Sequence, residues 1–144
     1  MDPIRVAAAF TAALLLTALP TEQASADMMG ACAPEISNFC GDVSKGRGRI
    51  TACLFSNEDR LGSTCGPAFE AVAKSGSENR LVPSGVRSVL AGTANPDVPA
   101  VCNSDISRFC PSVENQGGRE LACLYAHMDK VTPDCATKAK SMLI

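Results

Sequence analysis

The chain has 144 residues, with 13 Lys plus Arg against 15 Asp plus Glu, one His, no Trp and eight Cys. A formal net charge of −2 excludes nucleic-acid binding through bulk electrostatics, since domains that work by counterion release carry a clear basic excess. The length allows one domain or two very small ones, and the cysteine count is the most informative number in the composition.

Residues 1–26 read as an export signal. Arg5 supplies a weak positive start, an apolar run follows from Val6 to Leu19 broken only by Thr11 and Thr17, and Pro20 ends it. Ala24-Ser25-Ala26 places small residues where a signal peptidase needs them, so cleavage is expected near Ala26, before Asp27. The run is about 14 residues, roughly 21 Å as a helix, which is too short for a ~30 Å hydrocarbon core. A lipoprotein signal at Met29-Gly30-Ala31-Cys32 fits poorly, because Cys32 lies well beyond the apolar run and has a repeat counterpart. Cleavage removes Asp2, Arg5 and Glu22 and leaves 118 residues with 12 basic and 13 acidic side chains. No later stretch is apolar enough to span a membrane, so the product is expected to be soluble and periplasmic or secreted.

The remainder repeats. Cysteines stand at 32, 40, 53 and 65 and again at 102, 110, 123 and 135, so each quartet is C-x7-C-x12-C-x11-C with a period of 70 residues. In the same ungapped frame Ile36, Ser37, Phe39, Val43, Gly48, Arg49, Ala52, Leu54 and Asp59 match Ile106, Ser107, Phe109, Val113, Gly118, Arg119, Ala122, Leu124 and Asp129. With the cysteines this makes 13 identities in 34 positions, the mark of a two-copy array. Glu35/Asp105, Phe55/Tyr125, Arg60/Lys130 and Leu61/Val131 are near matches.

Each copy is patterned for helices. Pro34 and Glu35 suit a first turn, where a missing N–H costs nothing and a carboxylate meets the positive dipole end; Ser104 and Asp105 do the same in the second copy. Ile36, Phe39 and Cys40 then fall at i, i+3, i+4, as do Ile106, Phe109 and Cys110. Gly46-Arg47-Gly48 and Gln116-Gly117-Gly118 break the chain. Arg49 to Phe55 is a second helix, with Ile50, Cys53 and Leu54 on one face. A third runs from about Leu61 to Lys74, and Pro67 makes it begin near Cys65 or kink there; its counterpart covers Val131 to Ile144. These spans divide the chain into a signal (1–26), repeat 1 (27–74), a linker (75–100) and repeat 2 (101–144). The linker is rich in Ser, Gly, Asn and Pro around a short apolar Val86–Leu90 stretch. The fold class is all-α: two small disulfide-stapled helical repeats in tandem.

Repeats of about 40 residues with few large apolar side chains need covalent support. Two short antiparallel helices would bring Cys40 to Cys53 across the turn, with Cys32 and Cys65 further out. The expected pairing is therefore Cys32–Cys65, Cys40–Cys53, Cys102–Cys135 and Cys110–Cys123, although four cysteines allow three connectivities and sequence does not choose among them. Closing such loops stabilises by roughly 3–4 kcal/mol on the chain-entropy model. The competing chemistry is soft-metal binding, copper or zinc on reduced thiolates. Against it, no C-x2–4-C pair occurs, and the sole imidazole, His127, faces Asn57 in the other copy and belongs to no repeated ligand set. No metal site and no cofactor are expected.

The pattern C-x-x-[DE]-I-x-x-F-C, then Gly-Arg, then A-C-L and a cysteine eleven residues further on, resembles the cysteine-rich repeat family. This is the four-cysteine repeat of a Golgi apparatus glycoprotein that binds fibroblast growth factors and E-selectin. The resemblance covers Cys32–Cys65 and Cys102–Cys135 and implies a disulfide-bonded module. With two copies, no transmembrane tail and no N-x-[ST] acceptor, the chain looks more like small exported bacterial members. Growth-factor binding is not carried over; only the cysteines transfer, as disulfide positions.

No catalytic constellation emerges. A Ser-His-Asp set would rest on His127 alone, which reads as helix surface; Glu35 and Asp105 read as helix-start charges. Arg49 and Arg119, each after a shared glycine, are candidate anion contacts. Six aromatics, one of them (Phe10) in the signal, provide no stacking platform for nucleic acid. The first reading is a non-enzymatic, exported interaction or structural module of the periplasm or cell envelope, with an unknown protein or envelope partner. A soft-metal binder is the alternative, and a small hydrolase the third.

Overall fold

A computed structural model describes residues 20–75 and 83–143, and all regular structure among them is helical. The apolar part of the signal and a stretch of the linker lie outside these residues. Eight α-helices follow in order: α1 (Pro20–Ala31), α2 (Ala33–Phe39), α3 (Arg49–Ser56), α4 (Cys65–Ser75), α5 (Ser84–Leu90), α6 (Asn103–Phe109), α7 (Arg119–Ala126) and α8 (Pro133–Leu143). Short 3₁₀ turns at Glu58–Arg60 and Ala100–Cys102 complete the connections. Helices α2, α3 and α4 recur as α6, α7 and α8.

Local chemistry sets the boundaries. Pro34 and Glu35 occupy the first turn of α2, and Asp105 that of α6. Gly48 and Gly118 precede α3 and α7 at φ of 68° and 74°, a left-handed conformation that glycine takes without steric cost. The third helix of copy 1 begins at Cys65, so Pro67 falls in its first turn, where no intrahelical N–H bond is lost.

Four disulfides staple these helices: Cys32–Cys65 and Cys102–Cys135 outside, Cys40–Cys53 and Cys110–Cys123 inside. The outer bridges have Cα–Cα distances of 4.5 and 4.8 Å and the inner ones 6.0 and 6.2 Å, so the two copies share one geometry. No described cysteine is free. This overturns the soft-metal reading, because a metal would need the thiolates that the bridges consume; the described residues also hold no other metal-ligand cluster.

The copies do not stand apart. Helix α3 packs on α7, and one apolar core contains Leu54 and Phe55 of copy 1 with Leu121, Ala122, Tyr125 and Ala126 of copy 2. A small satellite core remains within copy 2, where Leu124 meets the Cys102–Cys135 bridge. The expected linker contributes as well. Its apolar stretch forms α5, whose Val86 and Val89 are buried and which contacts α3, α7 and α8. A Cβ on Gly85 would lie 2.0 Å from the Met142 carbonyl oxygen, so only glycine allows α5 to approach the end of α8 this closely. At the other end of the described chain α1 packs on α4 and buries Met28 in the core. Cleavage before Asp27 would retain Met28.

Candidate functional site

The distinctive surface of the molecule is where the two copies meet. Arg49 Nη1 lies 3.1 Å from Asp129 Oδ2, and Arg119 Nη1 lies 3.1 Å from Asp59 Oδ1. Each pair is the other displaced by 70 residues in both members. That reciprocity is the signature of an isologous, approximately two-fold interface, here formed within one chain. The two arginines expected as anion contacts thus have their anions supplied by the opposite copy, and an external phosphate would have to displace a carboxylate.

The symmetry is broken where the copies differ in sequence. On one side Tyr125 donates its hydroxyl to the Arg47 carbonyl at 2.5 Å. Lys130 donates to the Asp42 backbone carbonyl and, at 3.1 Å, to its carboxylate, and Ser44 donates to Asp129. Burial raises the Tyr125 pKa, which keeps the phenol protonated as a donor. On the other side Phe55 replaces Tyr125 and Gly117 replaces Arg47. A cleft of about 430 Å³ opens there, bounded by Phe55, Gln116, Gly117, Arg119 and the end of α5. Helix α5 and the segment after it close its rim: Val89 covers Gly118, and Asn95 Oδ1 accepts from the Gly118 N–H at 2.8 Å.

A second cleft, about 240 Å³, lies between the copies. Phe39 and Phe109, matching residues of α2 and α6, line it together with Asn57 and His127, which match each other at the ends of α3 and α7. Both inner disulfides contribute, through Cys53 and the Cys110–Cys123 bridge. Asn57 is buried and donates to the Cys53 carbonyl at 2.9 Å. Arg60 sits 4.4 Å above the Phe39 ring and donates to Asn57 Oδ1.

His127 is not the surface residue that its sequence setting implies. It is 4% exposed and stacks on Phe109 at 5.2 Å between ring centroids. Its Nδ1 is 3.7 Å from Asp42 Oδ2, too far for a hydrogen bond, and has no other partner. Burial pushes its pKa below the ordinary imidazole range, against the opposing pull of Asp42. A neutral ring stacked on phenylalanine gives no support to the hydrolase reading.

The matched acids also have a role that sequence reasoning missed. Glu35 Oε1 accepts from the Gly62 N–H at 3.0 Å, and Asp105 Oδ1 accepts from the Thr132 N–H at 3.1 Å. Gly62 and Thr132 are themselves 70 residues apart. Asp105 is buried and also takes the Thr132 hydroxyl at 2.7 Å. Each acid ties the first helix of its copy to the loop leading into the third, beyond any effect on the helix dipole. The shared [DE] before Ile was the available signal.

Fold and site together define a two-copy, disulfide-stapled helical repeat array whose copies clasp each other. The chain belongs to the family described as Cysteine rich repeat, which it matches twice, over residues 22–61 and 93–132. It is 27% identical over 117 residues to human Golgi apparatus protein 1, an alignment covering 81% of this chain and 9% of that protein. The chain therefore spans less than a tenth of that relative's length. No solved structure matches.

Proposed function

We propose that this protein is an exported, non-enzymatic binding module of the periplasm or extracellular space, which presents its inter-repeat face to a protein or envelope component. The observation that carries this reading is the oxidised cysteine frame: among the described residues every thiol is committed to a bridge. Such a frame forms and persists in oxidising compartments. The apolar N-terminal run supports export, and no described helix is long and apolar enough to cross a membrane. The family assignment and the relative's printed name, a Golgi protein, agree with a lumenal or external setting.

The test is mass spectrometry of the protein recovered from fractionated native cells. The reading expects an N-terminus near Asp27, a mass about 8 Da below the fully reduced chain and no uptake of an alkylating reagent before reduction. Photo-crosslinkers at exposed positions of the inter-repeat face should trap one defined partner in the same fraction. A full-length cytosolic chain with alkylatable thiols would refute the proposal.

A further inference from the structure

We infer that the cleft between Phe39 and Phe109 receives the carboxylate of an acidic side chain on a partner protein, with Arg60 as its counter-ion. This rests on the binding-module reading above and names the chemistry of the partner.

Charge distribution carries the argument. No acidic residue lines this cleft, although the chain as a whole is net negative. Of the nearby acids, Asp59 pairs with Arg119, and Asp42, whose Oδ2 lies 3.7 Å from His127 Nδ1, pairs with Lys130 and does not line the cleft. Arg60 lines the cleft and is exposed, and its partners are neutral, the Phe39 ring and Asn57 Oδ1. The bond to Asn57 fixes the guanidinium over the ring, so part of its donor fork is already oriented before a ligand arrives. Arg108, also exposed, lies 5.0 Å from the centroid of Phe109, the matching wall. Neither Arg60 nor Arg108 has a carboxylate partner among the described residues. By contrast, Lys130, the counterpart of Arg60, has turned away to Asp42.

Shape selects among anions. At about 240 Å³ the cleft accommodates a single side chain. Two half-buried phenyl walls favour apolar methylenes, and a planar carboxylate matches the guanidinium fork at its mouth. A glutamate arm satisfies both demands. His127 and Asn57, both buried, also line the cleft and supply polar edges. The site exists only because the copies are clasped, since one wall comes from each.

The experiment is an isotope-edited NMR titration of the oxidised chain with an end-blocked Gly-Glu-Leu-Glu-Gly peptide and its Gln-for-Glu counterpart. At low ionic strength the acidic peptide should bind about tenfold more tightly or better, the size of one charge-assisted contact. Shifts should centre on Phe39, Asn57, Phe109 and His127. Arg60→Gln should erase the tenfold preference, whereas Lys74→Gln, whose lysine pairs with Glu70, should leave it intact. Thermal melts of both variants control for folding. Should Arg60→Gln fail to fold, Arg108→Gln must weaken the acidic peptide about threefold through its place over Phe109. Equal affinity of the two peptides, no binding at millimolar concentration, or shifts centred on another face would overturn the inference. Those outcomes leave the binding-module reading standing if cellular crosslinks still trap a partner; absence of any crosslinked partner refutes that reading instead.

Discussion

Leu121→Ala tests whether the copies are energetically one. Leu121 belongs to α7, yet it is fully buried in the core that contains Met28, Leu54 and Phe69 of the first copy. Removing its isopropyl group deletes apolar contacts and leaves a cavity that the disulfide-constrained helices cannot easily close. Leu-to-Ala changes at such sites cost about 2–5 kcal/mol. For a mature chain of this size, about 3 kcal/mol lowers the melting temperature by roughly 10–15 °C. The assay is native-state hydrogen exchange read amide by amide, alongside thermal unfolding by circular dichroism. If the core is shared, amides of α3 in the first copy lose protection by the same free energy as those of α7, and melting stays a single transition. If α7 and α8 lose protection while α3 keeps its own, the copies are separate folding units and the reasoning fails.

Three further outcomes follow. Tyr125→Phe should destabilise by about 1 kcal/mol, since its hydroxyl bonds the Arg47 carbonyl, while Phe55→Tyr, which places a hydroxyl beside Gly117, should recover about 0.5–1 kcal/mol; denaturant titration reads both. Replacing Cys102 and Cys135 together by Ala should cost roughly 3–4 kcal/mol and expose repeat 2 to proteolysis in pulse assays. Stability should also fall in two stages on acidification. Burial holds the His127 pKa below the ordinary imidazole value of 6.5, so that contribution is complete above pH 6.5 and fades as pH drops through the lowered value. Asp129, held below 3.8 chiefly by the Ser44 hydrogen bond, contributes above that pH and is lost as its own lowered value is crossed. Asp42 follows the same course: burial is the largest single influence and raises its pKa, but the Lys130 hydrogen bond and the His127 and Lys130 charges together hold it below 3.8. His127→Gln should remove the upper stage in a pH series of melts and weaken the Asp42 part of the lower one, leaving the Asp129 part in place.

The helices were legible because their information is local. Ile36, Phe39 and Cys40 mark a face by spacing alone, Gly48 marks a start, and Pro67 limits where α4 can begin. The stapled all-α architecture follows from those faces plus the cysteine register. What escaped depends on contacts between residues far apart in sequence. The 70-residue frame reveals that Arg49 and Arg119 are equivalent, and likewise Asp59 and Asp129, but not that each arginine would reach the aspartate of the other copy. His127 looks like helix surface because its burial comes from Phe109 and from the facing copy, and no local period records that. Helix α5 was hidden in a Ser, Gly and Pro-rich stretch, because its two buried valines find their partners on α3, α7 and α8. Met28 carries no local signal either, because it is buried through the packing of α1 on α4.

The clasp between repeats is tested most directly by severing the chain while leaving every disulfide intact. A protease site engineered between Ser75 and Ser84 separates Cys32–Cys65 and Cys40–Cys53 from the other two bridges, so no covalent bond joins the fragments after cleavage. Size-exclusion chromatography with light scattering, at micromolar concentration and without denaturant, then reads the outcome. The account predicts that the fragments co-elute as a one-to-one complex and part only in denaturant. Two separately eluting fragments, each retaining its helical circular dichroism, would contradict it.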